Sequence, residues 1–380
     1  MKKEVYLLGF LLLLVFIVFG CAEKTLVPKE PLVAEEPEPL FEEQKVNKTT
    51  EEEPIGIKSA EEEISQVAEK AASEAESSWT QRKVSCAGSL FDTHAHFDAL
   101  VQSKDYPSHS QWVSLTPQEL EKRMIEHKVG CAVLFVATLD MDKQFDSMRE
   151  SLVGLDVGFL PFFIAFDGTK LSPEMISKIH EGREEAFFGI GELAFYVEPL
   201  IGTSLVADPW PAIFEYAAKE NLFLMLHPTQ QQASDVEKML SQYPNTKVIL
   251  HGFELLNTGL VEKWLRNYKN LYWTYDLATM FDGYLYRVQN AADFIKWYEP
   301  NKEQYLSSVR NKLLPLLEAA PDRVMWGTDV VADWHVEPEV YSRLIEFSHK
   351  LIDSLPPQYR DNYAYANAQR IFDSGIVFEK

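Results

Sequence analysis

Phe91-Asp92-Thr93-His94-Ala95-His96-Phe97 ends the first strand candidate, Leu90 to Phe97, and sets two imidazoles one residue apart. Side chains alternate faces along a strand, so His94 and His96 project together and can reach one cation. By itself a His-x-His pair is weak evidence, since such pairs also arise by chance on surfaces. Its weight comes from what lies downstream. Glu192 ends Phe188-Gly-Ile-Gly-Glu192, His227 ends Leu222-Phe-Leu-Met-Leu-His227, His251 follows Lys247-Val-Ile-Leu, and Asp329 ends Val324-Met-Trp-Gly-Thr-Asp329. A carboxylate or imidazole beside such apolar runs carries a desolvation cost unless it is paired or bound to a metal.

Outward from this stretch, short apolar runs alternate with charged helical ones, the pattern of a parallel α/β fold. The other strand candidates are Gly130 to Ala137, Val157 to Phe166, Phe187 to Leu193, Leu222 to His227, Lys247 to Phe253, Leu271 to Asp276 and Val324 to Asp329. Helices are expected at Pro117 to Lys128, Pro173 to His180, Trp210 to Lys219, Ser234 to Ser241 and Leu260 to Tyr268, with two more in the long stretch from Tyr284 to Leu317. Eight βα units closing on themselves make a (β/α)8 TIM-type barrel, whose active sites lie at the C-terminal strand ends. All six ionisable residues fall at such ends. The competing doubly wound sheet lacks a Gly-rich phosphate loop after the first strand.

The chain has 380 residues, and barrels of about 250 residues with insertions are routinely single domains. Its net charge of -22 and pI near 4.9 argue against nucleic acid and anionic lipid as partners, because phosphate binding needs clustered Lys and Arg. Residues 1–21 read as a targeting signal, with Lys2 and Lys3 before an apolar run from Val5 to Phe19. The ending Val18-Phe19-Gly20-Cys21 resembles the lipobox of prokaryotic lipoproteins, which implies lipidation at Cys21. An uncleaved signal anchor is the alternative. Either leaves the barrel outside the cytoplasm at a membrane surface. Residues 22–84 are rich in Glu, Lys and Pro and read as a disordered acidic tether; residues 85–380 form the barrel. Of the remaining cysteines, Cys131 sits in an apolar run and Cys86 just before the first strand. Two buried thiols are expected, since a large core needs no staple, with a disulfide as the alternative.

The order of a His-x-His pair on strand one, Glu on strand four, His on strands five and six, and Asp on strand eight resembles the amidohydrolase superfamily over residues 88–373. Glu192 is most like the TatD-type hydrolases. Pro321-Asp-Arg-Val-Met-Trp-Gly-Thr-Asp329 and Asn367-Ala-Gln-Arg-Ile-Phe372 look instead like the amidohydrolase-related branch, which includes decarboxylases. The resemblance implies that His94, His96 and Asp329 hold one divalent ion and His227 and His251 a second, with Glu192 spanning both. Zn is the first choice, with Mn or Fe as alternatives and one or two ions per chain. A bound metal lowers the pKa of water to about 7 and gives a hydroxide nucleophile, while Asp329 acts as its general base. With one ion only, His251 becomes an electrophile or general base.

Hydrolysis of an amide, lactone, ester or phosphoester of a small molecule is therefore the leading expectation. A decarboxylase or hydratase on the same barrel and a non-catalytic metal- or ligand-binding lipoprotein are the alternatives. Tyr196, Asp276 and His335 are candidate substrate contacts, and Phe195, Met280, Phe281 and Trp334 suggest a partly apolar pocket. His127, His180 and His349 lie in charged helical contexts and read as solvated helix faces. Substrate and oligomeric state are not written in the sequence.

Overall fold

A computed structural model describes residues 80–96, 115–138, 152–165, 171–181, 187–196, 200–252, 257–373 and 375–379. The barrel strands are β2 (Leu90–His96), β3 (Val129–Thr138), β4 (Gly158–Ala165), β5 (Gly189–Ala194), β6 (Phe223–His227), β7 (Lys247–Leu250), β8 (Leu271–Asp276) and β9 (Val324–Gly327). Each pairs in parallel with its successor from β2 to β9. An isolated parallel bridge between Ala95 and Val330 brings the last strand back to the first. The result is a nearly closed (β/α)8 barrel, as the alternation of runs predicts.

Strands covered on both faces read as near-continuous apolar runs, yet period two still sorts their side chains. Phe223, Met225, Ile249 and Met325 belong to the cluster that fills the barrel with Phe91, Val133, Phe135, Leu160 and Phe162. Leu224, Leu226, Val248, Leu250, Val324 and Trp326 belong to the larger cluster under the helices. His227, His251 and Asp329 continue the inward register of Met225, Ile249 and Met325. Helices α1 (Pro117–Glu126), α2 (Pro173–His180), α3 (Trp210–Lys219), α4 (Ala233–Gln242) and α5 (Thr258–Asn267) form the outer layer. Thr116 and Glu119 close a capping box on α1, and the Ser172 and Asn257 side chains cap α2 and α5. The β8 to β9 connection carries two short helical turns and the long α6 (Ala291–Ala319), and α7 (Pro338–Ser354) follows β9.

Four expectations need correction. Thr80–Val84, placed in the tether, forms β1, which pairs antiparallel with β10 (Gly375–Glu379); β10 in turn meets β4 through Ile376 and Phe159. Cys86 and Cys131 are disulfide-bonded with Cα atoms 5.7 Å apart, not two thiols. Cys131 faces the barrel floor, and the turn that joins Ser89 N to Cys86 O folds Cys86 over it. His180 is buried against Phe187 and Tyr216 rather than solvated. His127 and His349 are half-buried, with His349 Nε2 3.4 Å from the His127 carbonyl and the His127 ring edge-on to Tyr341. Among the described residues no helix is long and apolar enough to cross a membrane. The signal segment, Cys21 and the tether up to Trp79 lie outside the described residues, as do Phe97, Phe166 and Phe253 at predicted strand ends.

Candidate metal centre

The six rim residues meet in one buried cluster, and the irregularities of two strands explain how. In β2 the register shifts between Asp92 and Ala95, so inward facing passes from Phe91 to the even-numbered His94 and His96. In β5 it shifts between Ile190 and Leu193, which turns Glu192 inward. Gly191 permits this with φ of +137°, and a Cβ there would lie 2.5 Å from the Met225 carbonyl oxygen. Asp329 takes φ of +53°, a left-handed conformation that Asp tolerates better than most residues. Its N–H donates to the His94 carbonyl at 2.7 Å, locking the end of β9 to β2.

Nε2 of His94 and Nε2 of His96 stand 3.0 Å apart. Asp329 Oδ1 lies 3.3 Å from each of them, and Glu192 Oε2 lies 3.6 Å from the first and 3.2 Å from the second. Glu192 turns its other oxygen to the second histidine pair: Oε1 is 2.7 Å from His227 Nδ1 and 3.0 Å from His251 Nε2. Glu192 therefore stands between His94 and His96 on one side and His227 and His251 on the other. Within each of the sets His94-His96-Glu192 and Glu192-His227-His251 the donor atoms lie within 4.8 Å of one another.

The electrostatics fit a cation. Burial alone would depress the imidazole of His96, but Asp329 and Glu192 overcome it and lift the ring to about 9. His251 is likewise disfavoured by burial and raised to about 10 by Glu192 and Asp276. Burial would raise Glu192, yet the imidazoles of His251 and His227 hold it well below the carboxylate range. Carboxylates packed this way demand positive charge, from protons or from a metal, and imidazole nitrogen with carboxylate oxygen is the donor set of Zn. The residues present fit the implied metal.

Two polar residues beside the cluster, Asp92 and Thr93, had no role in the sequence reading. Asp92 accepts hydrogen bonds from His94 N at 3.1 Å and Thr328 N at 2.8 Å, and its Oδ2 accepts from the Thr328 hydroxyl at 2.6 Å; burial raises its carboxyl to about 6 against these bonds. Its place two residues before His94 was the available signal. Thr93 ties β2 to β9 by donating to the Trp326 carbonyl. Asp276, read as a substrate contact, is fully buried behind the rings, with Oδ2 3.2 Å from His94 Nδ1 and 3.4 Å from His251 Nδ1. His335, a second expected substrate contact, is buried 4.1 Å from the Trp334 ring, and its Nδ1 accepts from Val331 N and Ala332 N. That makes it a loop latch. Tyr196 alone of the three is open to solvent, at 44% exposure, with its ring 4.4 Å from that of His227. Of the residues expected to line an apolar pocket, Phe195, Met280 and Phe281 are core.

No protein-family model matches the sequence, and no curated protein matches it. In fold the chain is similar to an amidohydrolase from Burkholderia multivorans solved with bound Zn, at TM-score 0.55 and 12% identity, over 76% of this chain and 100% of that one. A second structure of an amidohydrolase from that organism, with bound HEPES, gives TM-score 0.53 and 14% identity, over 76% and 100% of the two chains. A probable 2-pyrone-4,6-dicarboxylic acid hydrolase from Acinetobacter baumannii, with citric acid bound, gives TM-score 0.50 and 11% identity over 75% and 99%. These neighbours support the barrel.

Proposed function

We propose that this chain is a metal-dependent hydrolase of the amidohydrolase superfamily that acts on a small molecule at the C-terminal mouth of the barrel. The observation that carries this reading is Glu192, whose two oxygens face separate histidine pairs at 2.7 to 3.6 Å. His94, His96 and Asp329 would hold one divalent ion and His227 and His251 a second, with Glu192 shared; Zn suits the donors. Such an ion supplies Lewis acidity and brings the pKa of water down to about 7. The Asp329 carboxylate, already against the Nε2 atoms of His94 and His96, takes the proton from water and returns it to the leaving group. Tyr196, exposed beside His227, meets the substrate. Burial of the other groups excludes bulk water and strengthens each charge interaction inside the site.

A carboxylate between two histidine pairs serves a two-metal hydrolytic site better than a decarboxylating one. The Cys86–Cys131 bond suits an oxidising compartment and supports the export that the N-terminal signal implies, with the barrel held at a membrane surface by lipidated Cys21 or an uncleaved anchor. The test joins metal counting in purified protein to a metal-loaded screen of lactones, N-acyl amino acids, dipeptides and phosphodiesters, with released CO2 followed in parallel. Two ions and a hydrolysed substrate are expected. One ion with CO2 release, or no bound metal, would overturn the assignment.

A further inference from the structure

Asp276 ends β8 against the Nδ1 edges of two of the imidazoles. Its Oδ2 lies 3.2 Å from Nδ1 of His94 and 3.4 Å from Nδ1 of His251, two rings whose centroids are 4.0 Å apart. Both rings turn Nε2 the other way: that of His94 lies 3.3 Å from Asp329 Oδ1, and that of His251 lies 3.0 Å from Glu192 Oε1. His94, His251, Asp276 and Asp329 also form a set whose donor atoms lie within 4.8 Å of one another, but Asp276 Oδ2 meets both rings at Nδ1, the edge opposite their contacts to Asp329 and Glu192. Its own position is fixed from behind, because Oδ1 accepts from Thr279 N at 2.8 Å as the cap of the helical turn that follows β8.

We propose that Asp276 is a positioning residue that couples the two halves of the metal centre through one oxygen. This rests on the metal-centre reading above. With Oδ2 facing both Nδ1 atoms, each ring would carry its proton on Nδ1 and leave the Nε2 lone pair free, the tautomer a ligating imidazole needs. His94 belongs to the half completed by His96 and Asp329; His251 belongs to the half completed by His227. Glu192 places its oxygens within 3.6 Å of both halves, and Asp276 spans the same two halves from their Nδ1 edges. His227 provides the contrast, since it presents Nδ1 to Glu192, 2.7 Å away, and owes nothing to Asp276.

The test compares Zn binding by the full chain, its Asp276→Asn variant and its His227→Gln variant, each dialysed against buffered free Zn and analysed for bound metal. Asp276→Asn should weaken both binding steps together by about 10- to 100-fold, the usual effect of losing an orienting partner. His227→Gln should weaken one step only, and Asp276→Glu should restore part of the loss. A wild-type chain that takes no Zn would overturn the metal reading itself. Wild-type affinity in Asp276→Asn, or loss of a single step there, would overturn the coupling while leaving that reading intact. Should Asp276→Asn fail to fold, nitrogen-15 spectra of the Zn-loaded wild type decide. His94 and His251 must then show exchange-protected Nδ1–H groups with Nε2 bound, and Nδ1 ligation by either ring overturns the proposal.

Discussion

Gly252 takes φ of +119°, and a Cβ built there would lie 2.6 Å from Nε2 and Cδ2 of the His227 ring. Gly252→Ala is therefore expected to tilt His227 and to lower metal affinity by about tenfold or more, as loss of ligand support usually does; a Zn titration reads it. Asp329→Asn keeps the shape of the side chain but not its charge or basicity. Turnover of any substrate found should fall by at least about 100-fold with the fold retained, and full activity would remove Asp329 from the chemistry. His335 is held neutral, pushed down to about 4 chiefly by burial. Because its folded value lies below the ordinary 6.5, the stability it contributes is complete above pH 6.5 and is lost as pH falls toward 4, about 3 kcal/mol over that window. His335→Asn keeps an acceptor for Val331 N and Ala332 N but does not titrate, so its melting temperature should fall less steeply with acid. The ionisable residues at strand ends were legible because each interrupts an apolar run. Asp276 was legible as a strand end but not as a backing group, since which side of a ring a carboxylate meets is decided by neighbouring strands.

At the scale of elements, the strand and helix runs could be read almost residue for residue, as in α2 and α3, because buried parallel strands and amphipathic helices carry opposite periodicities. The register shifts in β2 and β5 could not, since strict alternation puts either Phe91 or His94, not both, inside the barrel. The pairing of β1 with β10 was hidden as well: it joins segments almost three hundred positions apart, and an edge strand needs little apolar character. Arg323, before β9, shows how an element's end is held. Its guanidinium donates to the carbonyls of Leu265, Tyr268 and Leu271 at 2.6, 2.7 and 3.0 Å, which closes the C-terminal end of α5. Arg323→Met should remove the charged donor from all three carbonyls, leaving Tyr268 O only its 3.4 Å bond from Leu271 N, and cost about 3 kcal/mol, to be measured by denaturant unfolding.

For the molecule as a whole, the Cys86–Cys131 bond closes a loop with a sequence separation of 45, for which the chain-entropy account gives about 4 kcal/mol. The Cys86→Ser, Cys131→Ser double variant should unfold at correspondingly lower denaturant, and an unchanged midpoint would show that the pairing contributes nothing. The joint between first and last barrel strands has its own consequence. Where β3 and β4 share a register of eight residue pairs, β2 meets the end of β9 through one isolated bridge and mostly side-chain bonds: Asp329 N to His94 O, His96 N to Val330 O, Thr328 to Asp92 and to His94 O, and Thr93 to Trp326 O. His94 and His96 stand on one lip of that seam and Asp329 on the other, so a cation held by all three, as proposed, would act as a rivet. Stripping it should let the hoop spring there first, seen as faster amide hydrogen exchange at His96 and Asp329 than anywhere along β3 and β4.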